Sequence, residues 1–238
     1  MISYKAATQA YLVFAPNNVQ QTFTAADLLA GTTPGTTSYS KPSPTAGATE
    51  RFSIIQPTPG GTATDYLRVT VGDFEGSPTS GTRARTKSYC VIGVATAVTD
   101  IPSASTVSFT RASVQGEAHD IRSGSLIVYS LSDSTATMTV DLTTGQFVSN
   151  LHLIGRTAGG TVADLGTFVE QGSIDVTNAG FFGSNSAFVS GRISPTIYGG
   201  FFGPQGKEFG YVVSGTENTM TNPTDIGLLV TAVVVGSR

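Results

Sequence analysis

The 238-residue chain contains no tryptophan and a single cysteine, and charged residues make up only 12% of it. With Cys90 as the only cysteine, no disulfide can form within the chain. A formal net charge of -3 excludes the concentrated basic surface that nucleic-acid binding requires. No apolar run reaches about 18 residues, the length that a membrane-spanning helix needs.

An export signal and long helices are also lacking. The chain begins Met1-Ile2-Ser3-Tyr4-Lys5, without the apolar core of a signal peptide, so we expect a signal segment to have been removed. The composition is typical of an exported bacterial protein, which favours this interpretation over a cytosolic one. The one helix that we predict is short: Thr24 caps it, Asp27 follows within the first turn, and Gly31 ends it.

Short strands take the place of helices. The 28 glycines and the many threonines and serines favour strands joined by turns. In the second half, apolar runs recur about every ten residues, which predicts a sandwich or a barrel. In the clearest strand Ala136, Met138 and Val140 alternate with threonines, which indicates one buried and one wet face. The predicted strands of this half are residues 105–112, 124–132, 134–143, 146–154, 172–177, 186–193, 196–203, 209–215 and 226–236.

Loops interrupt the first half. Threonine, proline, glycine and serine dominate residues 31–49, which predicts a loop, and residues 76–87 are predicted to form a second, polar one. Residues 51–56, 66–74 and 89–96 have the composition of strands. We interpret Cys90, in the last of these, as a small buried hydrophobic residue rather than a reactive thiol.

The most distinctive stretch is residues 199–215, which read GGFFGPQGKEFGYVVSG. It predicts a strand, a tight Gly-Pro turn and a returning strand. Together with residues 89–110 and 138–145, it resembles the transferrin-binding-protein-B-like family of solute-binding surface lipoproteins. The core Phe-Phe-Gly-Pro-x-x-x-Glu, from Phe201 to Glu208, carries most of the resemblance.

This resemblance implies an all-β fold in two parts. Residues 1–104 are expected to form a β-rich handle domain with long loops, and residues 105–238 an eight-stranded antiparallel β-barrel. It further implies a single-lobe protein of haemophilin-like size, lipid-anchored at the surface of a Gram-negative bacterium or secreted. Such a protein captures a nutrient, with haem or another iron source as the leading candidate, or a host or environmental carrier of that nutrient. An outer-membrane TonB-dependent transporter is the expected recipient.

Two histidines, His119 and His152, are the only candidates for haem ligation. His152 is expected to share the polar face of its strand with Asn150. No spaced cluster such as H-x-x-x-H accompanies either residue, so two surface histidines without a ligand are an open alternative. Haem would also need cations for its propionates, and the candidates for this role are Arg83, Arg85 and Arg122.

Catalytic patterns find no support in the sequence. A serine hydrolase needs a nucleophile, a base and an orienting acid, but no G-x-S-x-G elbow is present. The glycine pairs are not followed by the Lys-Ser/Thr of a phosphate-binding loop. Asp73 and Glu75 flank the end of a predicted strand, where turn or surface carboxylates are the simpler interpretation than a glycosidase pair. We therefore predict a protein that is not an enzyme.

Tyrosines are the candidates for contact with a partner protein, because this residue is favoured in interfaces. Tyr39 is the preferred one, since it lies in the predicted loop at 31–49 and binding residues concentrate in loops. Ordinary strand packing is the alternative for the others, which are Tyr4, Tyr11, Tyr66 and Tyr198. A structural or adhesive surface protein without cargo remains the alternative function. An integral outer-membrane barrel is disfavoured because the sequence shows no aromatic girdles.

Overall fold

The computed structural model describes residues 2–14, 20–31, 33–43, 47–75, 85–102, 106–175, 180–188, 196–218 and 226–238. The strands are β1 (Ile2–Lys5), β2 (Ala10–Phe14), β3 (Gln20–Phe23), β4 (Thr36–Pro42), β5 (Thr49–Ile55), β6 (Leu67–Glu75), β7 (Arg85–Gly93), β8 (Thr106–Phe109), β9 (Arg111–Asp120), β10 (Ile127–Ser130), β11 (Thr135–Asp141), β12 (Gln146–Arg156), β13 (Val162–Asp175), β14 (Gly180–Phe188), β15 (Thr196–Phe202), β16 (Glu208–Asn218) and β17 (Ile226–Ser237). Short 3₁₀ helices lie at Ala6–Thr8, Ala25–Asp27, Pro59–Gly61, Val98–Asp100 and Pro204–Gly206. Within the described ranges, no helix has the length and apolarity to cross a membrane.

The chain forms two compact units. The first comprises Met1–Gln56 and Arg68–Ile92, and the second comprises Pro57–Leu67 and Gly93–Arg238. Residues 57–67 therefore belong to the second unit although they lie within the first part of the sequence. A handle domain that ends at residue 104, with a barrel domain from residue 105, stays a prediction.

The first unit contains two small antiparallel sheets, with strand orders β1-β2-β3 and β4-β5-β6-β7. Their facing sides bury Val13, Phe23, Phe52 and Phe74. The ring of Phe23 from one sheet stacks on that of Phe52 from the other, with centroids 5.5 Å apart. Burial of these rings holds the two sheets together.

The prediction of a loop over residues 31–49 is wrong for β4. This strand pairs with β5 along its whole length, from Thr36 opposite Ile55 to Pro42 opposite Thr49. Its proline has an unfavourable strand propensity and its serines a weak one, but pairing with β5 and packing against the aromatic core override that propensity. Tyr39 consequently lies on a strand and not on a loop.

The predicted helix at residues 24–31 shrinks to a single 3₁₀ turn, Ala25–Asp27. The predicted capping residues do meet there. The Asp27 carboxylate accepts hydrogen bonds from the Thr24 backbone N–H at 2.8 Å and from the Thr24 hydroxyl at 3.1 Å.

Cys90, in β7, is a free cysteine that is partly buried. Burial raises the pKa of its thiol, which keeps the thiol protonated.

The second unit is built on a ten-stranded antiparallel sheet with the order β10-β9-β17-β16-β15-β14-β13-β12-β11-β8. A further pairing between Ser130 of β10 and Arg156 of β12 closes eight of these strands into a ring. We call this part the closed sheet. The predicted all-β fold, with a β-rich N-terminal part and a closed antiparallel sheet after it, is confirmed.

Alternation along the strands places the core inside the closed sheet. In β11, Ala136, Met138 and Val140 are buried and the intervening threonines are exposed, as the sequence predicts. The largest difference from the prediction is β13, which covers Val162–Asp175 instead of residues 172–177. A register shift opposite Leu153/Ile154 interrupts its alternation, and this hides the first part of the strand from pattern analysis.

Glycines make room for the aromatic rings of this core. A Cβ on Gly172 would lie 2.6 Å from the Phe147 ring, and one on Gly199 would lie 2.6 Å from the Phe181 ring. Phe181 and Phe201 point inward, with ring centroids 5.2 Å apart. The repeated Gly-Phe-Phe-Gly pattern thus supplies one inward ring per strand and the space for its neighbours.

Candidate functional site

The distinctive stretch at residues 199–215 holds other segments of the second unit in place. Glu208, 1% exposed, begins β16. Its carboxylate accepts hydrogen bonds from the backbone N–H groups of Asp65, Tyr66 and Leu67, at 2.7, 3.0 and 3.0 Å. Burying a carboxylate is costly unless it is hydrogen-bonded, and these three donors meet that requirement. We call this arrangement the Glu208 clasp.

The turn beside the clasp fixes a second segment. Gly203 donates its N–H to the carbonyl of Val94 at 2.9 Å, and its own carbonyl accepts the Thr96 hydroxyl at 2.7 Å. Gly203 has a φ of 73°, and a Cβ there would lie 2.3 Å from the ring of Tyr66. Only glycine fits this position, because both the backbone angle and the ring exclude a side chain. The stretch therefore has an architectural role.

The two histidines are surface residues that the structure keeps apart. Their side chains are 40% and 41% exposed, and each interacts with a carboxylate. His119 Nε2 lies 3.7 Å from Glu117, and His152 Nε2 lies 3.0 Å from Asp164. His152 lies opposite Thr135 and Thr167 on the outward side of β12, as the sequence predicts. In the described part of the chain, no group of three or more His, Cys, Asp or Glu residues has the geometry to hold a metal ion.

Of the three predicted cations, Arg122 is the one whose side chain the structure describes. Arg83 and the side chain of Arg85 lie outside the described residues. Arg122 binds Asp120 at 2.7 Å and Glu217 at 3.3 Å. This guanidinium lowers the pKa of the Asp120 carboxyl. Arg122 thus closes an ion-pair network at one end of the closed sheet.

Three tyrosines from three strands meet in the first unit. Tyr4 and Tyr11 lie directly opposite each other in the β1–β2 pair, with ring centroids 4.8 Å apart. The ring of Tyr11 also lies 5.6 Å from that of Tyr39 on β4. Tyr4 is 54% exposed, whereas Tyr11 and Tyr39 are half-buried against the ring of Phe52. We call these three residues the tyrosine surface.

The tyrosine surface packs against the aromatic core of the first unit. Tyr39 and Tyr11 contact Phe52, which stacks on Phe23 inside the core. At its border, Lys41 Nζ lies 4.9 Å above the Phe23 ring and donates to the Thr22 carbonyl at 2.7 Å. Burial, followed by the neighbouring tyrosines, raises the pKa of Tyr11 and of Tyr39, so both hydroxyls stay protonated at neutral pH. The surface therefore offers three aromatic rings with hydroxyl groups, and the adjacent Lys41.

The other candidate tyrosines belong to the second unit and do not join this surface. Tyr66 packs against the turn at Gly203, and Lys207 Nζ lies 5.6 Å from its ring centroid. Tyr198 is 67% exposed on the outward side of the closed sheet, directly opposite Phe182. Tyr66 lies in a bend just before β6 and not within a strand, and Tyr198 is an exposed surface residue.

Sequence reasoning missed Glu170 and the role of Glu208. Glu170 is only 2% exposed, although it carries a carboxyl group. Its side chain lies on the buried face of β13, together with those of Phe168 and Ile174. An acidic residue at an apolar position of an alternating strand is a signal that could have identified it, had this part of β13 been predicted.

Comparisons with known proteins bear on the fold. No protein-family model matches the chain, and no curated protein sequence matches it. Solved structures do match. Transferrin binding protein B, isotype 1, from serogroup B Neisseria meningitidis aligns with a TM-score of 0.54 over 96% of this chain and 43% of its own, at 14% identity. A variant of transferrin binding protein B from Haemophilus parasuis Hp5 aligns with a TM-score of 0.51 over 95% of this chain and 44% of its own, at 12% identity.

The chain thus spans less than half of the length of these two proteins. The resemblance inferred from residues 199–215 is confirmed at the level of the fold.

Proposed function

We propose that this chain is a non-enzymatic binding protein that captures a protein carrier of iron through the tyrosine surface. The observation that carries the proposal is the convergence of Tyr4, Tyr11 and Tyr39 on one packed aromatic base. The fold supports it, because the two solved structures with the same fold are described as transferrin binding proteins.

The arrangement has the properties of a protein-binding hot spot. Tyrosine supplies a large apolar ring and a hydroxyl donor, and it loses little side-chain entropy on binding. The rings of Tyr11 and Tyr39 are already fixed by packing against Phe52, so their ordering does not weaken binding further. Tyr4, more than half exposed, is the ring with the most area left to bury.

Location and transport follow from the same proposal. We infer that the protein acts at the surface of a Gram-negative bacterium, held there by a lipid anchor, or in secreted form. The captured carrier would then reach a TonB-dependent outer-membrane transporter. A structural or adhesive role without cargo is the competing proposal, and a direct binding measurement separates the two.

A Tyr4→Ala variant is expected to bind iron-loaded transferrin at least about tenfold more weakly than the wild-type chain, because truncation removes the exposed ring of the hot spot. Surface plasmon resonance with immobilised transferrin measures this change. Tyr198→Ala is the matched control, since Tyr198 is an equally exposed tyrosine of the other unit. Equal binding by Tyr4→Ala and the wild type, or no binding by the wild type, contradicts the proposal.

Haem itself is the second candidate cargo, and it comes from the family resemblance. A histidine can ligate haem iron through a ring nitrogen. In His152 the Nε2 atom already lies 3.0 Å from Asp164 Oδ1, within hydrogen-bond distance. We therefore expect that neither histidine is needed for any change in the Soret absorbance of added haem. His119→Ala and His152→Ala should give the same titration as the wild type. A Soret shift that either substitution abolishes makes haem the cargo.

A further inference from the structure

Among the described residues of the closed sheet, one buried carboxyl group has no hydrogen-bond partner. Glu170 on β13 is 2% exposed, and neither of its carboxyl oxygens has a hydrogen-bond partner. The residues before and after it on the same face, Phe168 and Gly172, carry no polar side-chain group. Native proteins rarely leave a buried carboxyl without a donor, so this position calls for an explanation.

Two described hydroxyl groups near Glu170 form hydrogen bonds with other groups. Glu170 lies directly opposite Ser149 on β12. The Ser149 hydroxyl lies 3.2 Å from the Thr137 carbonyl oxygen and 2.7 Å from the Tyr211 hydroxyl, and either hydroxyl can be the donor of the second bond. Neither hydroxyl forms a hydrogen bond with Glu170.

The described interior also offers no cation to Glu170. Tyr211 on β16 is the titratable residue that interacts with it, and burial raises the pKa of Tyr211 well above its ordinary range, which keeps it neutral. The charged groups Asp120 and Glu217 are engaged with Arg122 at one end of the closed sheet. Burial alone raises the pKa of Glu170 from 4.5 to about 8.

The pairing of the sheet is irregular next to this residue. Glu170 lies opposite Ser186 of β14, and the register of this pair shifts between Gln171 and Gly172. Such a shift leaves one residue unpaired and locally disrupts the hydrogen-bond ladder between the two strands.

We propose that Glu170 makes the closure of this sheet depend on pH, so that release of its proton opens the β13–β14 pair locally and exposes the carboxylate to water. A neutral carboxylic acid tolerates the apolar interior, but a carboxylate without a counter-ion does not. The register shift next to Glu170 places the opening at residues 168–171 and 185–188. This pH-dependent opening is independent of the tyrosine surface, which lies in the other unit.

The direction of the pH effect follows from proton linkage. In the open form the carboxyl has its ordinary pKa of 4.5, while in the closed form its pKa is about 8. Between these values the closed form binds a proton that the open form lacks, so closure weakens as pH rises. The opening constant should increase about tenfold per pH unit in this window and level off above it.

Native-state hydrogen exchange with mass spectrometry of the whole chain tests the proposal. After correction for the intrinsic exchange rate at each pH, peptides covering residues 168–171 and 185–188 should show an opening constant that rises about tenfold per pH unit between pH 5 and pH 8. Peptides of the long β16–β17 pair provide the internal control and should show no such rise.

Glu170→Gln, which is neutral at every pH, should abolish this rise. Tyr211→Phe should retain it, because the tyrosine hydroxyl does not titrate in this range. If the glutamine variant does not fold, Glu170→Met provides the same test with an apolar residue of similar length. A rise that persists in either Glu170 variant, or a wild-type opening constant that does not change with pH, overturns the proposal.

Discussion

Replacing Glu208 with alanine is expected to lower the free energy of unfolding by about 4 kcal/mol, because each stranded buried donor costs about 1–3 kcal/mol. The substitution leaves the backbone N–H groups of Asp65, Tyr66 and Leu67 without their acceptor. Such a loss is a large part of the roughly 5–15 kcal/mol that stabilises a typical domain. Urea unfolding at neutral pH measures the change.

Two variants test whether the Glu208 clasp is the cause. Glu208→Gln keeps one carbonyl oxygen, which can still accept the Tyr66 and Leu67 bonds now made to Oε2, so its loss should be clearly smaller. Lys207→Ala removes the neighbouring exposed ion pair with Asp65 and should change stability little. An alanine variant of Glu208 that is as stable as the Lys207 variant would contradict this role.

Replacing Gly199 with alanine is expected to destabilise the second unit by about 3 kcal/mol, the upper part of the range for overpacked cores. The new Cβ would lie 2.5 Å from the Gly210 carbonyl oxygen, 2.5 Å from the Tyr211 Cβ and 2.6 Å from the Phe181 ring. Two of these atoms belong to β16, directly opposite, so relief requires β15 and β16 to separate. Thermal and urea unfolding report the loss.

Gly159→Ala is the matched control for this substitution. Gly159 lies in the turn between β12 and β13, and the nearest atom to a new Cβ, the Thr157 hydroxyl, is 3.8 Å away. Its effect on stability should stay within about 0.5 kcal/mol. Equal stability losses at the two glycines would contradict the role of close packing at Gly199.

Prediction from sequence succeeded where the signal is local. The alternation of β11 identified its buried face, because successive side chains of a strand point in opposite directions. It failed at β4, whose loop-like composition is overridden by pairing with β5. It also missed most of β13, where a register shift breaks the period of the pattern.

The candidate site was predictable only in part. Tyrosine as a residue type pointed to Tyr39, but for the wrong reason, because Tyr39 lies on a strand. That Tyr4 and Tyr11 join it depends on the β1–β2 pairing and on the packing of two sheets. The Glu208 clasp joins residues 143 positions apart, at Asp65 and Glu208, and no local pattern indicates such a bond.

The amino-acid sequence by itself determined the fold class, since turn residues and period-two alternation act over a few neighbouring positions. It also determined the shape of the Phe-Phe-Gly-Pro turn. Only the tertiary structure decided which side chains meet: the three tyrosines in one surface, Glu208 with a distant backbone segment, and Glu170 alone in the interior. The physical reason is strand register, which is set by contacts between distant segments and decides for every strand which face becomes the core.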